Sequence, residues 1–141
     1  PARRIDENLA DLEAQIASCR TGASLFLALR ARHGGSRVER YMGFLQEAAA
    51  HTVAEAVSRL PHETHVFSDA LDDGSPIVVR ITHRPSEPLE IDFTGTAGAH
   101  PGNLNAPRAV TVACVLYVLR AWVGRALPLN EGCLRAVSIV I

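Results

Sequence analysis

The chain has 141 residues, 48% hydrophobic and 21% charged, with a formal net charge of -1 from 14 basic and 15 acidic residues. That length predicts a single unit able to bury a real core, and that composition excludes global disorder. Every basic residue is arginine, so a Schiff-base lysine and a Walker-type phosphate lysine are excluded within the chain, and the balanced charge argues against nucleic acid as a partner.

The apolar positions Leu9, Leu12, Ile16 and Cys19 predict a helix over 6–20, with Asp6 as its N-cap. Thr21-Gly22 reads as a break before a short second helix over 23–33, which Gly34-Gly35 ends. Ser36 and Glu39 have the spacing of a capping box for a third helix, whose apolar face includes Val38, Leu45, Ala49, Val53 and Val57 and which stops before Pro61.

Beyond Pro61 the period changes to two. Strands are predicted over 64–71, 77–82 and 89–93, separated by Asp72-Asp73-Gly74-Ser75-Pro76 and Arg84-Pro85-Ser86-Glu87-Pro88, the pattern of an antiparallel meander. A loop over 94–107 leads to an apolar run beginning at Ala109, too short to cross a bilayer and read as a buried helix that keeps Cys114 in the core, with Asn105 or Ala106 near its cap. A turn over 128–132 precedes a last strand over 134–141. The expected fold class is α+β: N-terminal helices, a three-stranded antiparallel meander, a buried helix and a C-terminal strand. The chain reads as one segment, helical over 1–60 and mixed over 61–141. Pro1 and the apolar end at Ile141 both read as cut ends of a longer protein.

Cys19, Cys114 and Cys133 are too widely spaced for a zinc ribbon or a thioredoxin motif, and they fit a reducing, cytoplasmic setting. Cys133 after a turn is either a nucleophile or a small buried residue, and the second reading is favoured. His62 and His65 have metal-ligand spacing but sit at a helix-to-strand junction that reads as a surface turn. Arg30, Arg32, Arg37 and Arg40 can bind an anion, yet such charges more often decorate solvated helix ends.

The richest polar stretch joins Asp92, Thr94 and Thr96 to His100, Asn103 and Asn105, with Asn130 in the later turn. One reading is a pocket that orients a substrate carbonyl, carboxylate or phosphate near a helix N-terminus. The other is structural: Asp92 and Asn105 cap turns, and the glycines permit tight bends.

Six stretches carry a resemblance when taken in order: Asn8-Leu9-Ala10-Asp11-Leu12-Glu13-Ala14-Gln15, Val38-Glu39-Arg40-Tyr41-Met42, Asp72-Asp73-Gly74, Asp92-Phe93-Thr94-Gly95-Thr96, Gly102-Asn103-Leu104-Asn105-Ala106-Pro107, and Pro128-Leu129-Asn130-Glu131-Gly132-Cys133. Together they resemble the hydantoinase B/oxoprolinase family over nearly the whole chain. The resemblance implies part of an ATP-dependent hydrolase of cyclic amides, hydantoins or lactams such as 5-oxoproline, or of a related ATP-dependent ketone carboxylase. It implies that ATP is used by a companion hydantoinase A-type subunit or domain in a hetero-oligomer. It also implies a divalent metal in the parent, whose His- and Asp-containing motif lies upstream of this chain. Asp92 is then the catalytic candidate, orienting substrate or accepting a proton, and Thr94, Thr96, Asn103, Asn105 and Asn130 are the candidates for holding substrate oxygens. The competing class is a non-catalytic assembly or binding segment in which the same loops are structural.

Overall fold

A computed structural model describes residues 4–102, 104–124 and 126–141, which form two compact units divided between Gly43 and Phe44. The N-terminal unit consists of a helix α1 (Ile5–His33) and the first turns of a helix α2 (Gly35–Val57), which runs on into the second unit.

α1 is one helix where the sequence predicts two. Thr21 stays helical because its hydroxyl donates back to the carbonyl of Ala17, 3.0 Å away. Gly22 costs only about 1 kcal/mol relative to alanine, too little to interrupt a run rich in good helix formers. The N-cap is Arg4 rather than Asp6, which lies in the first turn beside Glu7 where both carboxylates complement the helix dipole. No residue of α1 is buried. Ile5, Leu9, Leu12 and Ile16 line one side, and Leu25, Leu27 and Leu29 leave its second half apolar on several sides.

The break falls at Gly34, whose φ of 82° is open to glycine at little cost. Its N–H donates to the Arg30 carbonyl (2.8 Å) and its own carbonyl accepts from Val38 N–H (3.2 Å), so one residue closes α1 and opens α2. α2 therefore starts ahead of Ser36, and the predicted capping box is displaced into the helix. Glu39 instead pairs with Arg30 at 3.1 Å.

The second unit holds a four-stranded sheet in the order β1 (Thr64–Ala70), β2 (Pro76–Thr82), β3 (Leu89–Asp92) and β4 (Val137–Val140). β1–β2 and β2–β3 are antiparallel, as their short turns require, whereas β4 runs parallel to β3, with Leu89 opposite Val137 and Asp92 opposite Val140. A parallel neighbour needs a long crossover. Here it contains a helix α3 (Arg108–Val123) and a 3-10 turn at Glu131–Leu134. The last strand is thus shorter than the predicted 134–141, whose first residue, Leu134, belongs to the 3-10 turn.

The core of this unit gathers Ala49, Val53 and Val57 from α2, Leu89 and Ile91 from β3, Val115 and Leu119 from α3, and Leu127, Cys133 and Val137 from the closing segment. α3 is covered on one side only. Val115 and Leu119 are its buried residues, and Cys114, expected in the core, is exposed. The predicted cap at Asn105 or Ala106 is also displaced: the N-cap is Pro107, with no side-chain cap hydrogen bond.

Where the 3-10 turn meets α2, a side chain on Gly132 would collide with the backbone carbonyl of Gln46. Gly132→Ala is therefore expected to destabilise the second unit by about 1–3 kcal/mol through overpacking against backbone. Gly98→Ala, in open space, should stay within about 0.5 kcal/mol of the parent. Urea unfolding checks the pair, and equal midpoints for the two variants would contradict the close packing.

Candidate functional site

The polar candidates are fixed by a strip of hydrogen bonds along β2. Alternation turns Asp92 off the face that buries Ile91. Its Oδ1 accepts the Thr94 N–H at 2.8 Å, and its Oδ2 lies 3.2 Å from the Arg80 guanidinium directly across the β2–β3 pairing. The Asp92 side chain is only 14% exposed, against 46% for Arg80. Hydrogen bonds from Thr94 hold the Asp92 carboxyl below the ordinary carboxylate range, and the Arg80 charge lowers it further. An ionised carboxylate so stabilised is a weak proton acceptor at neutral pH and a good orienting group.

Thr96 closes the next step. Its hydroxyl accepts from the Val78 N–H (3.0 Å) and donates to the Val78 carbonyl (2.9 Å), while Ala97 N–H donates to the Pro76 carbonyl. Gly95 between them has a φ of 100°, so the bend uses glycine for its conformation.

The loop then folds on His100. Asn105 accepts the His100 N–H (2.8 Å) and donates to the carbonyls of His100 (2.8 Å) and Gly102 (3.2 Å). His100 Nδ1 accepts from Gly102 N–H at 2.9 Å, which leaves Nε2 facing Asp73 Oδ2 at 3.4 Å. The strip thereby reaches the β1–β2 turn, where Ser75 holds the Asp73 carboxyl below its ordinary range and His100 contributes in the same direction. Asn103 lies outside the described residues.

Asn130 belongs to a different network. Its Oδ1 accepts Gly132 N–H (2.8 Å) and its Nδ2 donates to the Leu45 carbonyl (3.1 Å), capping the 3-10 turn and tying it to α2. Cys133 beside it is fully buried, with Sγ 3.4 Å from the Pro128 carbonyl. The five described candidates therefore do not form one hydrogen-bonded group: Asp92, Thr94, Thr96 and Asn105 lie along a single strip, and Asn130 serves another contact.

Arg80 is the member of the strip that sequence reasoning missed. Its signal is in the alternation: matching the polar face of 76–82 to that of 89–92 in antiparallel register places Arg80 opposite Asp92. His62 and His65 part company, as a helix-to-strand junction dictates. His65 pairs with Glu63 at 2.8 Å, and His62 packs on His83 with ring centroids 4.5 Å apart. Among the described residues no group of three or more His, Cys, Asp or Glu side chains is placed to hold a metal ion. Of the four arginines near the helix junction, Arg30 is occupied by Glu39 and lies over the Phe26 ring.

A second feature is apolar. α3 stands off the sheet and leaves a cavity of about 530 Å³. Its walls include Val79, Ile81, Phe93, Cys114, Val118 and Trp122.

The profile of the hydantoinase B/oxoprolinase family matches residues 1–141. The 5-oxoprolinase of Saccharomyces cerevisiae is 37% identical over 145 residues, and 5-oxoprolinase 1 of Arabidopsis thaliana is 39% identical over 154. Each comparison covers 99% of this chain but only 11% and 12% of those relatives, so the chain spans about one eighth of their length or less. The crystal structure of an ATP-dependent caprolactamase from Pseudomonas jessenii matches the fold with a TM-score of 0.77 at 23% identity, over 99% of this chain and 24% of that one.

The strip has a pH signature. Asp73 and Asp92 are both lowered in the folded state, so as pH falls through about 3.9 the unfolded chain takes up protons first. Their stabilisation is complete above that value and is lost as pH drops through the folded-state values. Urea midpoints measured from pH 6 to pH 3 should fall less steeply for Asp73→Asn/Asp92→Asn than for the parent. Parallel curves would show that neither carboxylate is held as described.

Proposed function

The chain belongs to the hydantoinase B/oxoprolinase family, and from that membership we propose that it is one part of an ATP-dependent enzyme that opens cyclic amides. The observation that carries this reading is the match of the family profile to residues 1–141, with 5-oxoprolinases at 37% and 39% identity along 99% of the chain. The substrate class proposed is a lactam or hydantoin. The location proposed is the cytoplasm, in keeping with three unpaired thiols. No helix among the described residues is long and apolar enough to cross a membrane.

The chemistry divides in two. An amide is a poor electrophile, and phosphorylating its oxygen creates a better leaving group. ATP use is proposed to fall to a hydantoinase A-type subunit or domain, as membership of the family implies. A divalent metal implied for the parent has no fitting set of ligands among the described residues.

Within this chain Asp92 is proposed to act as a fixed anion that orients Arg80. The 46% exposed guanidinium is then free on its outer side to meet a carboxylate or a phosphorylated oxygen. Thr94, Thr96 and Asn105 hold the strip in shape, Asn103 is proposed as an oxygen-binding residue, and Asn130 serves the contact with α2 instead. In the full enzyme, with its A-type component, Asp92→Asn is expected to lower kcat by about 10-fold or more while the melting temperature shifts little. Unchanged ATP-dependent lactam turnover would remove Asp92 from the site. The 141-residue chain alone is expected to show no such turnover.

A second reading, a non-catalytic assembly segment, is favoured by one observation. The described candidate side chains direct their hydrogen bonds to this chain itself, and Asn130 does so at a different contact from the rest. A kcat unaffected by Asp92→Asn, Thr96→Val and Asn105→Ala alike would establish that reading.

A further inference from the structure

We propose that the cavity between α3 and the face of β2 and β3 is the seat of an apolar α-helix contributed by a hydantoinase B-type chain outside these 141 residues. The inference rests on the reading that this chain is part of a larger enzyme.

Surface area gives the first argument. The accessible surface is 10460 Å². A compact monomer of this size exposes about 7,100 Å², and two separately folded units of these lengths together about 8,500 Å². The difference is of the order that a permanent interface covers. Part of the difference belongs to α1, which buries none of its residues; at the cavity itself Val118 is 62% exposed and Trp122 42%, although both line it.

The chemistry of the walls selects the occupant. A volume of about 530 Å³ would suit a small molecule as well as a set of side chains. The walls, however, are almost entirely apolar. The polar residues at the rim are already engaged: Glu63 with His65, and His83 Nδ1 with the Pro61 carbonyl at 3.2 Å. A cyclic amide seated here would bury its own N–H and C=O without partners, and so would an extended strand. An α-helix satisfies its backbone internally and presents only side chains, so it is the occupant these walls accept. A helix laid on one face of a sheet beside α3 is also the layer that a two-layer α+β architecture calls for.

The source is argued from length. The caprolactamase chain carries this fold over only 24% of its residues, and the 5-oxoprolinases over 11–12% of theirs. A covering helix from the same type of chain needs no further partner.

Native thiols report on it directly. Cys114 lines the cavity and is exposed, and Cys133 is buried inside the unit. Iodoacetamide labelling, read peptide by peptide, should modify Cys114 at least tenfold more slowly in the full-length gene product than in the 141-residue chain. Cys133 should be protected in both. Fast labelling of Cys114 in the full-length product overturns the proposal. So does protection that appears only when a lactam is added, which would make the cavity a substrate pocket. Protection that rises with concentration of the 141-residue chain alone, with a dimer in sedimentation, also overturns it in favour of a second copy.

Val118→Asp gives an arm that needs no isolated chain. It should lower the melting temperature of the full-length product by several degrees, and an unchanged melting temperature overturns the proposal. Lactam turnover by the same preparation keeps the two readings apart. An active product with a reactive Cys114 refutes the docked helix and retains the enzyme, whereas a protected Cys114 without turnover does the reverse.

Discussion

The contact on which the second unit depends is the approach of the 3-10 turn to α2. Gly132 lies so close to the Gln46 carbonyl that no side chain fits between them. Around it, Asn130 donates to the Leu45 carbonyl and Arg135 to the Gln46 side chain at 3.0 Å, while Cys133 is enclosed completely. Four consequences follow from one tight spot: the turn is pinned, its thiol is removed from solvent, β4 leaves it in a fixed direction, and β4 can pair only beside β3. The parallel strand pairing, which closes the core through Leu89 and Val137, thus depends on a glycine just ahead of β4 that meets α2, an element distant in sequence. The Pro-Leu-Asn-x-Gly-Cys element that carries part of the family resemblance is accounted for by this packing.

The Asp-Phe-Thr-Gly-Thr element has a comparable physical basis. A carboxylate ends β3, two threonines follow it, and the glycine between them bends the chain back onto β2. Each side chain makes a bond that the next requires: Asp92 sets Thr94, Thr96 grips both polar groups of Val78, and Asn105 folds the remaining loop about His100. The result is a hydrogen-bonded polar strip beside the partly exposed guanidinium of Arg80. Such a carboxylate suits the proposed orienting role, since a group already ionised and hydrogen-bonded need not reorganise when a substrate arrives.

Against that ordered edge stands an unfilled apolar interior. α3 covers the sheet incompletely, and α1 buries none of its residues although much of its second half is apolar. A helix apolar on several sides belongs in a core, and a sheet face lined with valine, isoleucine and phenylalanine belongs under a layer. One feature belongs to each unit, and both accord with the proposal that these units share their packing with other parts of a larger protein.

The strands, their turns and the helical character of the first third were determined by the sequence itself, because period-two alternation and the Asp-Asp-Gly and Arg-Pro-Ser-Glu-Pro punctuation are local signals. The family, too, was legible, since its motifs are short runs whose order survives without any coordinates. One matter was decided by helix continuity and two only by tertiary structure. Thr21-Gly22 remained helical because a local propensity deficit of about 1 kcal/mol is small beside continuous helix on either side. Cys114 came to the surface because apolar character says that a residue can be buried, not that a partner is present to bury it. Arg80 met Asp92, and Asn130 left the loop candidates for α2, because pairing register and close approach are relations between distant residues. Composition and periodicity carry what each residue prefers; only the folded chain fixes which neighbour it receives.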